Sequence, residues 1–243
     1  MSRKIVVAVA SVGIVSLALG VLIVPRLWPS GRAAEASIKR ATPDLDVRLR
    51  ALGSALGAPV FVRIFKEPAT LELWVQAPER FVLFARYPIC RFSGGLGPKT
   101  REGDRQAAEG LYRVGLGQLN PRSRFHLSFD LGYPNLLESS RGWTGHSLMV
   151  HGDCVSVGCY AMGDAAITEI YTVVRAALRS GQRGVWVHAF PFPLTPENLA
   201  GHADARHRSH WQALAPAYVL FERERVPPVV EVTTSGYVVR SGR

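Results

Sequence analysis

Two periodicities of apolar positions alternate along this chain. Leu45, Leu49, Leu52 and Leu56 recur at spacings of four, three and four, one face of a helix. Thr42-Pro43-Asp44 precedes them, with Thr42 placed as N-cap and Pro43 at the first helical position, where its missing N–H costs nothing. Gly57 closes that helix, and the small and polar residues 25–41 read as a linker. Period-two alternation then takes over. Residues 59–65 form a strand, and residues 71–76 and 81–87 flank Ala77-Pro78-Glu79-Arg80 as a hairpin. Residues 111–116 and 123–130 read as further strands, with Asn120-Pro121 marking the turn between them. An apolar strand at 147–150 follows. The helical period returns at Asp164, with Ile167, Ile170, Tyr171, Val174 and Leu178 on one face and Gly181 as the stop. Residues 184–190 give another strand. Thr195-Pro196-Glu197 opens a helical region running to residue 224, and residues 229–232 and 237–239 close the chain as a hairpin across Thr234-Ser235-Gly236. The fold class this predicts is α+β, mainly β, with flanking helices.

The N-terminus has a different pattern. After Arg3 and Lys4, residues 5–24 carry no charge, about the ~20 residues a helix needs to span a bilayer. Pro25, Arg26, Pro29 and Ser30 end the run. It reads first as a signal anchor with a cytoplasmic N-terminus, and second as a cleaved signal with Ala33-Ala34-Glu35-Ala36 near the cut. Either way the globular part is exported. The 243 residues carry a net charge of +10, but the cations are scattered and no nucleic-acid motif accompanies them, so nucleic acid is not an expected partner. A basic surface also suits an anionic envelope.

Residues 151–162 concentrate the candidate chemistry: His151-Gly-Asp-Cys154-Val-Ser156-Val-Gly158-Cys159-Tyr160-Ala-Met162. The 147–150 strand delivers His151, a short loop follows, and Cys159 precedes the helix at Asp164. A cysteine nucleophile needs a thiolate, and an unperturbed thiol has a pKa of about 8.5, so a base or dipoles must help it ionise. His151 is the nearest base, and Gly158 lets backbone N–H groups approach a substrate carbonyl as an oxyanion hole. Other readings of the same residues are a buried apolar cysteine, an incomplete three-ligand zinc site, and a disulfide between Cys154 and Cys159.

The stretch resembles the active-site signature of the YkuD-type L,D-transpeptidases, a His-Gly, a loop, then Ser-His-Gly-Cys, an aliphatic residue and Arg. Here the second part reads Ser156-Val157-Gly158-Cys159-Tyr160-Ala161-Met162. Val157 stands in place of the usual His and Ala161 in place of the usual Arg, which matches the YafK-like branch. Segments in order across residues 58–240 strengthen the likeness. Gly94 to Tyr112 resembles that branch's Gly-x-x-Gly-Pro-Lys, Gly-Asp and Glu-Gly-x-Tyr segment, although Ala107-Ala108 replaces its Thr-Pro. Leu131-Gly132-Tyr133-Pro134-Asn135 resembles a loop near the site. Phe190 to Thr195 resembles Pro-Phe-Arg-Met-Thr, with Pro193 in place of Arg.

The resemblance implies a β-sandwich-like catalytic domain at 58–192. It follows a signal anchor or signal peptide at 1–28 and a linker with a packing helix at 29–57. A helical extension with closing strands at 193–243 completes the chain. It implies Cys159 as nucleophile, His151 as proton donor and acceptor, the Gly152 carbonyl as the group orienting His151, and Ser156, Gly158 and Tyr160 as oxyanion or substrate-binding residues. No cofactor or metal is implied. The implied substrate is a meso-diaminopimelate-containing peptidoglycan stem peptide, attacked to give a thioester that an amine or water resolves. A peptidoglycan-attached envelope protein is a second partner, and the inner membrane a third through residues 5–24, placing the domain in the periplasm. The Gly-rich loop lacks a phosphate-binding ending and reads as support for the site, with Asp104 and Glu109 structural. His126 and His146 also read as structural, His146 on the face of its strand opposite His151. His202, His207 and His210 read as part of a solvated helix. Cys90 sits at a strand end, able to pair with Cys154 in an oxidising compartment. The rival function is a non-catalytic peptidoglycan-binding envelope protein whose loop cysteines are disulfide-bonded.

Overall fold

The computed structural model describes residues 31–202 and 206–243. The apolar run at 5–24 lies outside them, and among the described residues no helix is long and apolar enough to cross a membrane. The fold is mixed α+β, with two five-stranded sheets.

The first sheet is assembled around β1 (Val60–Phe65), which is buried at every position. β2 (Thr70–Gln76) and β3 (Phe81–Pro88) extend it as the expected antiparallel meander. On its other side β1 pairs in parallel with β10 (Val185–Phe190), which pairs with β5 (Gly110–Val114) at the edge. A strand buried on both faces needs apolar residues at even and odd positions, and Val-Phe-Val-Arg-Ile-Phe supplies them with one exception. That exception, Arg63, is neutralised: Nε and Nη2 bond Glu72 Oε2 at 2.9 and 2.6 Å, and Nη1 bonds Glu222 at 2.6 Å.

The second sheet runs in the order β4 (Arg91–Phe92), β9 (Tyr160–Ala161), β8 (Met149–His151), β7 (His126–Asp130) and β6 (Leu119–Ser123). The expected turn at Asn120-Pro121 is instead part of β6. Proline is tolerated there because β6 is an edge strand and its ladder to β7 is irregular between Asn120 and Ser123. The chain reverses after Ser123. Between β7 and β8 lies the short α2 (Leu136–Ser140), N-capped by Asn135.

Helices α1 (Gly31–Ala51) and α3 (Asp164–Arg179) join the inward faces of both sheets in one core. α1 corrects the expectation of a linker up to residue 41 and a helix capped by Thr42. It starts at Gly31, and its buried stripe is Ala34, Ile38, Leu45 and Leu49, facing α3. Pro43 sits inside the helix rather than at its start, while Thr42 Oγ1 donates to the Ile38 carbonyl at 2.8 Å. The helix also ends earlier than expected, at Ala51.

After β10 come α4 (Pro196–Gly201), capped by Thr195 as expected, and α5 (Arg208–Glu224). α5 covers the outer face of the first sheet with Trp211, Leu214, Ala217, Tyr218 and Phe221. The three C-terminal histidines are not a solvated face. His210 is buried and bonds the Glu109 carbonyl at 3.1 Å, His202 stacks on Phe192 with ring centres 3.7 Å apart, and His207 lies against Trp211. β11 (Val229–Val232) and β12 (Tyr237–Arg240) form the expected closing hairpin.

His188 on β10 is wholly buried among Phe61, Trp186 and Phe190, and neither ring nitrogen has a hydrogen-bond partner among the described residues. Burial, with Arg63 adding to it, pushes its pKa down to about 3. Above the unfolded value of ~6.5 the ring is neutral in both states and contributes no pH dependence. Below it the unfolded chain takes up a proton the folded chain refuses, so stability falls by about 1.4 kcal/mol per pH unit. An apolar residue there leaves no new unpaired group. Urea unfolding of His188→Leu between pH 7 and 4.5 is expected to show a shallower loss of stability than wild type. Parallel curves would contradict this.

Candidate active site

β8 and β9 are parallel neighbours, with Val150 opposite Tyr160 and His151 opposite Ala161. Parallel strands usually need a crossover of about a dozen residues or more. Here residues 152–159 make the return, and two left-handed residues, Asp153 (φ 58°) and Gly158 (φ 93°), turn the chain back. A side chain at Gly158 would be strained by its φ and would crowd Leu148. One at Gly152 would meet the Phe125 carbonyl and the Asp164 carboxylate at 2.7 and 2.6 Å. Asp164 in turn accepts the Asp153 N–H, fastening the start of the loop to the first turn of α3.

His151 is buried at the end of β8, its ring 4.8 Å from Phe125. Nδ1 lies 2.6 Å from the Gly152 carbonyl. A carbonyl only accepts, so Nδ1 carries the proton and Nε2 of the neutral ring is the acceptor. Burial pushes the His151 pKa below its ordinary value, against the Gly152 hydrogen bond and the charge of Asp153. At neutral pH the imidazole is uncharged.

Cys159 is half-buried and is the free thiol among the described residues. Its sulfur accepts the Met149 N–H at 3.4 Å and faces the Ser147 carbonyl at 3.6 Å. Burial pushes the thiol pKa up, opposed by the Met149 N–H and by the positive charge of Lys99. Among the described residues no hydrogen bond joins the His151 ring to this sulfur. The sulfur is turned instead to the backbone of β8, two residues before His151.

The three residues expected to bind an oxyanion or substrate have other partners here. The Gly158 N–H donates to Ser93 Oγ. Ser156 Oγ accepts the Cys159 N–H at 3.1 Å and donates to the Cys159 carbonyl at 2.6 Å, so it clamps the turn at Cys159. Tyr160 is wholly buried with its hydroxyl on the Ala108 carbonyl at 2.7 Å, so its side chain is part of the core. Val155 and Val157 are the exposed large apolar side chains of the loop. Cys154 is bonded to Cys90, with Cα atoms 5.4 Å apart. The Cys154–Cys159 disulfide of the rival reading is therefore not formed.

The Gly-rich loop supports this arrangement. Asp104 accepts the N–H groups of Thr100, Arg101 and Gln106 and pairs with Lys99 Nζ at 2.6 Å. These bonds hold the Asp104 pKa at about 2 against burial. The Thr144 N–H donates to the Thr100 carbonyl, joining this loop to the segment before β8. Glu109 is buried and pairs with Lys66. His146 lies on that segment rather than on β8, exposed and paired with Glu102 at 3.1 Å, so strand alternation does not decide its direction. His126 bonds Thr168 at 2.9 Å. Among the described residues no group of three His, Cys, Asp or Glu is placed to hold a metal ion. Ser93, Met149 and Lys66 escaped the sequence reading, because a lone serine, a strand methionine and a strand-end lysine carry no motif.

No family model matches the chain. Two curated relatives do, from Escherichia coli strain K12 and Escherichia coli O157:H7. Both are provisionally named L,D-transpeptidase YafK and 45% identical over 184 residues, 76% of this chain and 75% of theirs. Among solved structures, the K307A mutant of the helical cell shape determining protein Pgp2 from Campylobacter jejuni aligns with a TM-score of 0.46 and 19% identity, over 72% of this chain and 61% of that one. The unmutated Pgp2 aligns at 0.44 and 16%, over 77% and 79%.

The cysteine partition is directly measurable. Iodoacetamide applied to the folded, unreduced protein is expected to modify Cys159 and to spare Cys90 and Cys154, as read by peptide mapping. Label on Cys154 before reduction would contradict the pairing.

Proposed function

The chain belongs to the L,D-transpeptidase family, in its YafK-like branch, and from that premise we propose a cysteine-dependent acyl-transfer enzyme acting on peptidoglycan. The observation that carries the reading is that one free, half-buried thiol sits immediately before β9 while a buried neutral imidazole ends the neighbouring parallel strand β8. The substrate is a stem peptide containing meso-diaminopimelate, attacked at the amide carbonyl of its L-centre.

The sulfur first exchanges its contacts on β8 for the His151 ring. Nε2 takes the thiol proton as sulfur bonds the carbonyl carbon. His151 then gives that proton to the leaving amine as the C–N bond breaks, which leaves a thioester on Cys159. An acceptor amine or water attacks the thioester with His151 again as base, and the C–S bond breaks to restore the thiol. An amine gives transpeptidation; water gives release of a peptidoglycan-attached protein. Gly152 orients the base throughout. For Gly158 to donate to the developing oxyanion, its N–H must exchange the Ser93 hydroxyl for the substrate oxygen. The domain works in the periplasm, held to the inner membrane through residues 5–24. The Cys90–Cys154 disulfide fits an oxidising compartment. The binding-protein alternative rested on a Cys154–Cys159 bond and loses that support.

Mass spectrometry of peptidoglycan products is expected to show no turnover for Cys159→Ala. His151→Ala is expected to lose about 10²–10⁴ in rate, the usual worth of general-base assistance, with its circular dichroism unchanged. His151 must be neutral to act as base and burial lowers its pKa, so the acid limb of kcat/KM is expected below the ordinary value of ~6.5. Near-normal turnover in the His151 variant, or an acid limb above that value, would remove His151 as the base.

A further inference from the structure

The loop that presents Cys159 is fastened to the body largely through one short strip, residues 90–93. Cys90 holds Cys154 covalently. Arg91 and Phe92 pair with Ala161 and Tyr160 just after Cys159. The Ser93 hydroxyl takes the Gly158 N–H. The strip therefore grips the loop early, immediately before the nucleophile and immediately after it. Ser93 is itself anchored, its carbonyl accepting the Ala107 N–H at 3.0 Å.

Between these grips the loop has little else to hold it. Val155 and Val157 are 49% and 75% exposed, so neither buries an apolar anchor. The Cys154 N–H is spent locally on Asp153, and the Ser156 hydroxyl on Cys159. Among the described residues, no hydrogen bond ties residues 154–157 to another element. The disulfide is their tie to the fold, and both of its cysteines are exposed to solvent.

We propose that Cys90 and Cys154 are a positioning pair for Cys159, and that the redox state of their disulfide sets the activity of the site. Opening the disulfide leaves the fold and the Cys159 thiol chemically intact but frees residues 154–157. The Cys159 sulfur then leaves the half-buried position beside β8 from which it turns to the His151 ring for attack. Near-attack alignment accounts for large factors in rate, so a displaced nucleophile loses turnover while substrate binding elsewhere survives. The same release exposes the sulfur to water. Burial is what raises the thiol pKa, so the freed thiol moves down toward the ordinary value of ~8.5 and ionises more readily. Turnover and simple thiol reactivity therefore move in opposite directions.

The redox step is a two-electron exchange. A phosphine reductant and one water convert the disulfide to two thiols and a phosphine oxide. In the reverse direction an added disulfide, such as oxidised glutathione, accepts the two electrons through a mixed disulfide and leaves as two glutathione thiols.

The proposal rests on the acyl-transfer reading for its activity arm but not for its reactivity arm. The test compares oxidised wild type, wild type treated with tris(2-carboxyethyl)phosphine, and the Cys90→Ser/Cys154→Ser double variant. Peptidoglycan turnover and the pH profile of Cys159 alkylation are read in each, scaled to the folded fraction. Reduction and the double variant are each expected to lower kcat at least about tenfold with KM little changed. Both are expected to shift the alkylation profile to lower pH. Oxidised glutathione should restore wild type but not the double variant, and phosphine should not alter the double variant further. If the oxidised protein shows no turnover at all, the acyl-transfer reading fails, and the alkylation profile still decides the positioning role. An alkylation profile unmoved by loss of the disulfide, or full kcat per folded molecule in the double variant, would overturn it.

Discussion

A buried ion pair between Lys66 and Glu109 fixes the frame on which the site is mounted. Both side chains are wholly buried and meet at 3.0 Å. Lys66 Nζ also donates to the Gly95 and Gly97 carbonyls at 2.9 and 2.7 Å. Glu109 accepts the Gly97 N–H at 2.8 Å and the Trp211 indole N–H at 2.9 Å. Every partner belongs to a different part of the fold: the end of β1, the Gly-rich loop, the entry to β5 and the start of α5. Burial pushes the Lys66 pKa down, and the carboxylate opposes it. Removing one partner of such a pair leaves a bare buried charge at a cost of about 3–5 kcal/mol. The pair thereby pins the loop that carries Ser93, Lys99, Asp104 and the Ala108 carbonyl, and so reaches the turn at Cys159 through Gly158 and Tyr160.

At rest, the site holds its two reactive groups uncharged. Burial raises the Cys159 thiol and lowers the His151 imidazole, and both shifts favour the neutral pair over thiolate and imidazolium. In the proposed reaction charge develops chiefly during attack. At rest the Met149 N–H and the more distant charge of Lys99 face the sulfur and oppose the effect of burial, and the first of these is exchanged for the His151 ring as attack begins. The enzyme reading thus starts from a neutral thiol and a neutral imidazole rather than from a resting ion pair.

The sequence pattern disclosed much of this, and its failures have physical causes. The central strands and α3 were legible because each buries a continuous apolar stripe. His151 and Cys159 stood out because an apolar strand leads into the first and a helical pattern follows the second across a short Gly-containing loop, while the role of the Gly152 carbonyl was implied only by the resemblance to the L,D-transpeptidase signature. The start of α1 was hidden by its own economy: Ala34 and Ile38 lie on the buried face, but small residues and an internal proline imitate a linker. Asn120-Pro121 looked like a turn because nothing in the pattern marks an edge strand. His210 looked solvated because arginines surround it in sequence, while in space it lies under Trp143 and against Glu109. The roles of Ser93 and Ser156 depend on which backbone N–H each hydroxyl meets, and that is decided only once the strip and the loop are in register.

The central claim is a thioester on Cys159, and intact-protein mass spectrometry tests it most directly. The oxidised wild-type protein is mixed with purified stem peptides containing meso-diaminopimelate and quenched in acid within the first turnovers. The account predicts an adduct equal to the acyl donor, mapped to Cys159, released by hydroxylamine and absent from Cys159→Ala. Turnover with no adduct on any cysteine under these conditions, or an adduct retained in Cys159→Ala, would contradict it.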